Sequence, residues 1–461
     1  MTQAPRRAIF GWVLFDWACQ PVATLITTFI YAPYFASAVA SSPAEGQAMW
    51  GFAAAAAGIV IALTSPFVGA IADATGPRKP WIATFGILLI AGSIGLWFGK
   101  PGDQSTILFV LVCFTILTIG AEFATVFNNA MMPSLVPPNR LGWLSGLGWA
   151  TGYLGGLVSL CFALLFLSTN PKTGLTLIGT APAFGLDAAM REGDRFIGPL
   201  SAIWFVIFVL PMFFFTPDNA KALKLGPAIS KGFSKTLVTI REARNHKAIA
   251  TFLIANMVYT DGLVALFAFG GIYAAGTFGW GAIQLGIFGI LLTITGTVGA
   301  LVGGKLDDRF GAKKVILGSL LILLVSCVAI LSIDRDRIFF VIPVMPADPH
   351  AGLFTSAAEK LYVAIGLFIG LAAGPLQAAS RAMLVRLAPK EQLAQFFGLF
   401  ALSGKLTSFL GPFLVATVTA LTLNQKAGVS VLVLFFALGG VLVLKGVSGK
   451  LPTSSPHAPV V

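Results

Sequence analysis

Twelve long apolar stretches recur along this chain, near residues 9–38, 50–72, 81–99, 105–132, 142–168, 196–215, 248–277, 281–304, 314–332, 360–387, 395–421 and 427–446. Each approaches or exceeds the run of about 20 apolar residues that an α-helix needs to cross a hydrocarbon core of ~30 Å. A segment inside lipid must satisfy its own backbone N–H and C=O groups, so runs of this length fold as membrane-spanning helices. The composition agrees. Hydrophobic residues make up 57% of the 461 and charged ones 10%, where a soluble domain carries roughly 25% charged. Mean hydropathy is +0.88. Disorder, a secreted disulfide scaffold and a cytosolic enzyme are excluded at this step.

The formal net charge of +12 resembles a nucleic-acid footprint only until the basic residues are placed. With the N-terminus cytoplasmic, twenty Lys and Arg fall on that side, eight on the other, and Arg381 and Lys405 inside spans. The positive-inside rule then sets both termini in the cytoplasm. No nucleic-acid partner is expected; the partners are the lipid bilayer and a small-molecule substrate. Cys19, Cys113, Cys161 and Cys327 lie in apolar runs without ligand spacing, and the three histidines sit in loops or the tail, so no metal site is expected. The first apolar stretch is too long for a cleaved signal and contains Asp16.

A polar, basic segment near 217–247 divides the spans six and six. The organisation expected is a six-helix bundle over 1–216, a cytoplasmic linker over 217–247 lying along the anionic leaflet, a second bundle over 248–447, and a disordered tail over 448–461. The halves echo each other. Gly69, Asp73 and Gly76 in GAIADATGPRK match Gly304, Asp308 and Gly311 in GKLDDRFGAKK at an offset of 235. Pro137 and Gly146 match Pro389 and Gly398 at an offset of 252. Parallel repeats of this kind build secondary transporters that rock around a midplane site.

These loops resemble the major facilitator signature between spans two and three. Gly304, Asp308, Arg309, Gly311, Lys313 and Lys314 follow it closely. The first copy has Gly69, Asp73, Gly76, Arg78 and Lys79 but Ala74 at a basic position, which weakens an Asp–Arg latch within that loop. A narrower resemblance lies in FDWACQPVATLITTFIYAPYFA (15–36), FATVFNNAMMPSLVPPNRLGWLSGLGWATGYLGG (123–156), YTDG (259–262) and the long block 374–412. Together these look like the "unknown major facilitator" family, relatives of the autophagy-linked vacuolar amino-acid effluxer. Cys19-Gln20-Pro21 and Thr260 depart from the family's usual residues. The resemblance implies the major facilitator fold: an all-α integral membrane protein of twelve transmembrane helices in two pseudo-symmetric six-helix bundles. It also implies efflux of amino acids or related small solutes.

Five charges lie within spans: Asp16, Glu122, Asp261, Arg381 and Lys405. Each costs about 2.5–3.5 kcal/mol at a helix centre, so each is expected to face protein or a water-filled cavity. Three acids against two bases leave one carboxyl unmatched, a candidate proton carrier; Asp16 and Asp261, in the matching first and seventh spans, lead. Arg381 and Lys405 are the candidate partners of an anionic group. Static pairs that specify helix packing are the competing account. Asn128, Asn129 and Gln377 could line a cavity, and Trp17 and Tyr259 adjoin or precede the two acids and could offer an aromatic face to an amine.

Gly148, Gly152 and Gly156 in span five form a smooth packing face, and Pro33, Pro66 and Pro375 are expected kinks. A nucleotide loop, a zinc-protease motif and a Ser/His pair within the membrane are all missing from the sequence, so no cofactor and no enzyme activity is expected. The reading is a multi-pass secondary transporter, monomeric, in a bacterial inner membrane, with protons as the coupling partner. An exporter of drugs or lipid-like compounds and a non-transporting scaffold or sensor are the alternatives.

Overall fold

The computed structural model describes residues 3–170, 173–220, 222–230, 232, 234, 247–280, 282–345, 353–405, 407–408 and 410–446. The expected tail and residues 235–246 of the basic linker lie outside these residues. Among the described residues the regular elements are helices apart from one short hairpin, with eleven helices long and apolar enough to cross a membrane. The spans open with α1 (Arg6–Pro21), which continues through irregular turns to Val39, α2 (Pro43–Thr75), α3 (Lys79–Gly95), α4 (Ile107–Ala130), α5 (Leu141–Phe166) and α6 (Ile197–Phe215). They resume with α7 (Lys247–Phe278), α8 (Ala282–Phe310), α9 (Ala312–Leu331) and α10 (Ala357–Leu387). The eleventh apolar stretch is divided into α11 (Leu393–Lys405) and α12 (Leu410–Thr422), and α13 (Gln425–Gly446) closes the set.

Proline explains two interruptions that hydropathy does not show. A proline inside a helix has no N–H for the carbonyl four residues back, and its ring collides with that carbonyl; in the first turn neither cost applies. Pro412 is the third residue of α12, so the helix restarts just before it. Pro33 is the third residue of the short helix Tyr31–Tyr34, and the break falls at Ile30 (φ −122°, ψ −62°). Either side of that short helix the first span winds as π-helix, Val22–Phe29 and Phe35–Val39. By contrast Pro66 and Pro375 sit inside the continuous helices α2 and α10.

The chain forms two compact units, residues 1–137 with 147–232, and residues 138–146 with 233–461. Their internal packing follows one scheme. In the first, α1 lies on α6, α3 on α4, α2 on α4 and α3 on α6. In the second, α7 lies on α13, α9 on α10, α8 on α10 and α9 on α13. The pairings therefore recur with a shift of six spans, as the repeated loops predict. Glycines bring some of these helices into backbone contact: a Cβ on Gly374 would strike the Gly296 carbonyl, and one on Gly370 the Thr295 side chain. Gly366, Gly370 and Gly374 carry on α10 the four-residue spacing seen in α5, the small-residue face that lets spanning helices approach closely.

Candidate functional site

In the first unit the glycine face of α5 seats a polar stripe of α1. Gly152 faces Asp16 and Gln20, and Gly156 faces Gln20 and Thr24, one turn further along. Gln20 Nε2 donates to Thr24 Oγ1 at 3.4 Å. Trp17 packs over Gly155, stacks on Trp204 of α6 at 5.7 Å and meets Phe208 edge-on, while Trp204 Nε1 donates to the Trp17 carbonyl at 3.1 Å. Asp16 and Glu122 are half-buried. Asn128 is fully buried; its carbonyl accepts from Trp12 Nε1 at 2.7 Å, and its side-chain amide has no hydrogen-bond partner among the described residues. Asn129, its neighbour at the end of α4, is buried too.

The second unit holds a more enclosed acid. Asp261 on α7 is 1% exposed, and its Oδ1 has no hydrogen-bond partner among the described residues. It lies beside Thr407, in the gap between α11 and α12, and the first turn of α12 presses on it: a Cβ on Gly411 would strike the Asp261 carbonyl. Polar bonds fix α7 around this point. Tyr259 Oη and Ser380 Oγ are 2.7 Å apart, with Ser380 donating onward to the Leu376 carbonyl, and Asn256 Nδ2 donates to Ser403 Oγ at 3.2 Å. Gln377 donates to the Ala373 carbonyl at 3.2 Å. Lys405 is the last residue of α11, and its side chain lies outside the described residues.

Arg381 is buried on α10 and donates Nε to Ser145 Oγ at 2.9 Å and Nη2 to the Ser145 carbonyl at 2.6 Å. These two strong donors are directed at the start of α5. Next to this contact, Asp308 accepts from the Gly142 and Trp143 N–H groups at 2.8 and 3.0 Å. Those are the second and third residues of α5, whose amides have no partner within the helix, so the carboxylate caps α5 from another helix. Asp307, 1% exposed, pairs with Arg386 at 2.5 Å. Neither Asp307 nor Arg386 follows from the loop signature, which marks only the second acid.

The first loop uses its residues differently. Asp73 pairs with Arg78, which also bonds the Ala72 carbonyl. The substitution at Ala74 therefore does not remove the latch, because Arg78 reaches back to supply the cation. Asp218, beyond α6, caps α3 by accepting from the Arg78 and Lys79 N–H groups at 2.7 and 2.9 Å. Residues 222 and 223 donate to the Thr75 and Ala74 carbonyls, so the linker begins packed onto this loop. Gly76 (φ 99°) and Gly311 (φ 87°) end α2 and α8 in the left-handed region that favours glycine. Lys79 Nζ bonds the Phe213 carbonyl at 2.8 Å, and Lys313 Nζ the Leu444 carbonyl at 2.9 Å. Each unit thus satisfies the end of its last helix with a loop lysine. Gly69 lies one turn before Asp73 in α2, Gly304 abuts Gly142 and Gly146, and Arg309 lies over its neighbour Phe310.

The family model described as "Vacuole effluxer Atg22 like" matches residues 46–448. An uncharacterized MFS-type transporter, YxiO of Bacillus subtilis (strain 168), is 24% identical over 436 residues, covering 94% of this chain and 93% of that protein. Autophagy-related protein 22 of Yarrowia lipolytica is 25% identical over 304 residues, 61% of this chain but only 46% of the fungal protein. The human organic anion transporter MFSD10 superposes with a TM-score of 0.69 at 14% identity, covering 96% of this chain and 100% of that one. The major facilitator FucP in its outward conformation gives 0.65 at 15%, covering 95% and 97%. At these identities the structures carry the fold alone, and the family match carries the rest: the chain belongs to the vacuole effluxer Atg22-like family of major facilitator transporters, a membrane transporter and not an enzyme.

Proposed function

We propose that the chain is a secondary active transporter that exports amino acids or related small solutes by alternating access, with protons as the coupling ion. The observation that carries the coupling is the buried Asp261 carboxyl, whose Oδ1 has no hydrogen-bond partner among the described residues, set against the break in the eleventh span. A carboxylate at that depth costs about 2.5–3.5 kcal/mol, and taking up one proton removes the charge. Breaks in spanning helices commonly mark binding sites in secondary transporters. Asp16, with Gln20, Thr24 and the Trp17 ring, offers the first unit's polar stripe to a substrate ammonium; Glu122 is a second half-buried acid in that unit.

Arg381 is engaged with Ser145, so the anion-binding role passes to Lys405. The basic bias supports cytoplasmic termini, the likeness to the Bacillus subtilis protein supports a bacterial membrane, and the repeated packing supports two bundles, 1–216 and 248–447. Counterflow of labelled amino acids in proteoliposomes, with and without a pH gradient, tests this reading. Saturable exchange accelerated by an opposing gradient supports it. Extrusion of hydrophobic cations alone favours a drug exporter, and folded but inert protein favours a scaffold.

A further inference from the structure

Between α9 and α10 the chain forms its hairpin, with β1 (Arg337–Ile338) antiparallel to β2 (Ile342–Pro343) and Ile338 paired with Ile342. The turn is Phe339-Phe340-Val341. Phe339 (φ 51°) and Phe340 (φ 65°) both occupy the left-handed region, where glycine or asparagine is the ordinary choice and a bulky residue is strained. Strain of this sort persists where the surroundings hold it and clusters at functional elements.

Here the base is firmly held. Asp334 N–H donates to the Arg337 carbonyl at 2.7 Å, Phe340 N–H to the Ser332 carbonyl at 3.0 Å and Val344 N–H to the Asp336 carbonyl at 2.8 Å. Asp334 pairs with Lys426 at 2.8 Å, and buried Ile333 gives its carbonyl to Tyr273 Oη at 3.2 Å. The second strand and the tip nonetheless turn their apolar side chains outward: Phe339 is 51% exposed, Phe340 60%, Val341 76% and Ile342 47%. A water-facing hairpin does not gain from this.

Lipid resolves the contradiction. Leu321, Val325 and Val328 are exposed along one face of α9, at the three- and four-residue spacing of a helix surface that meets acyl chains. Only the short segment 332–336 separates the hairpin from the end of that helix, so its tip continues an apolar surface that already lies against the bilayer. At the hairpin base Arg335, Asp336 and Arg337 are exposed, an alternating set that complements a phospholipid headgroup, with the arginines suited to its phosphate. An apolar tip above a charged collar matches the depth profile of the membrane interface. We propose that the 337–343 hairpin inserts its Phe339-Phe340-Val341 tip into the leaflet at the C-terminal end of α9, as a phospholipid-binding element distinct from the transport site.

The test is depth-dependent fluorescence quenching on the full-length protein. In a Cys161→Ala background, which removes the exposed native thiol, Phe340→Cys, Phe339→Cys and Asp336→Cys are each labelled with an NBD fluorophore. The labelled proteins are reconstituted in phosphatidylcholine vesicles containing lipid spin-labelled on the acyl chain, below the headgroup, and the signal of the unsubstituted background is subtracted. The tip labels should be quenched at least twofold more than the Asp336 label and should be shielded from aqueous iodide. Neutralising the collar by Arg335→Gln with Arg337→Gln should reduce tip quenching. Equal quenching at tip and base, or iodide access to the tip, overturns the proposal. So does protein-concentration-dependent cross-linking through the thiol of the Phe340→Cys variant without lipid quenching, which would assign the tip to a second copy.

Discussion

Arg381 holds Ser145 at two points, its Nε on the side-chain hydroxyl at 2.9 Å and its Nη2 on the backbone carbonyl at 2.6 Å. One of the five in-span charges thereby acts on the start of α5. Ser145 in turn donates to the Ala378 carbonyl at 2.7 Å, so the pair ties the start of α5 to α10 in both directions. Ser145→Ala should cost about 1–3 kcal/mol by removing the charge-assisted bond from the Arg381 Nε and the hydroxyl's own bond to the Ala378 carbonyl. Arg381→Ala should cost more, since it removes both charge-assisted bonds to Ser145 at once. Thermal unfolding in detergent checks both, and a double-mutant cycle should return a coupling well above about 0.5 kcal/mol.

The Asp308 cap makes a graded prediction. Asparagine keeps one acceptor but loses the charge at the α5 N-terminus, so Asp308→Asn should cost about 0.5–1 kcal/mol and Asp308→Ala about 1–2 kcal/mol. Urea or heat denaturation of purified protein gives the ranking. Equal losses for the two variants would mean that the charge contributes nothing.

On the first loop the corresponding cap comes from Asp218. Asp218→Ala should lower stability by about 0.5–2 kcal/mol through loss of the α3 N-cap. Arg78→Ala, which removes the buried partner of Asp73, should be the more damaging change, about 3–5 kcal/mol. Comparing the two melting temperatures separates the cap from the ion pair.

Glycines supply a paired test of packing. A Cβ on Gly374 would lie 2.9 Å from the Ala300 nitrogen and closer still to the Gly296 carbonyl, whereas one on Gly318 meets no described atom within 4 Å. Gly374→Ala should therefore destabilise by about 1–3 kcal/mol through overpacking. Gly318→Ala, in the interior of α9, should stabilise by up to about 1 kcal/mol. Opposite shifts in melting temperature are expected.

How far these features are visible in the chain itself depends on the range of the interaction. Span positions follow from hydropathy because a spanning helix is a local object, and Asp261 stands out because a charge in an apolar run is conspicuous wherever it points. The break in span eleven is also written locally, in Gly411-Pro412, but hydropathy averages over it. Asp218 and Arg386 are invisible as a cap and an ion-pair partner because what they bind, the Arg78 amide and Asp307, lies 140 and 79 residues away. The left-handed Phe339-Phe340 turn is least legible of all, since turn chemistry places glycine or asparagine at such positions. Gly366, Gly370 and Gly374 carry the same spacing signal as the glycines of α5, and their role follows once both stripes are seen together.

Everything proposed for coupling turns on Asp261 carrying the proton. That role is tested most directly by reconstituting wild-type and Asp261→Asn proteins side by side and measuring labelled amino-acid flux against an imposed pH gradient. Gradient-driven flux in the wild type should be lost in Asp261→Asn, while gradient-independent counterflow persists and shows the variant to be folded. Gradient-driven flux of equal size in both proteins would contradict it.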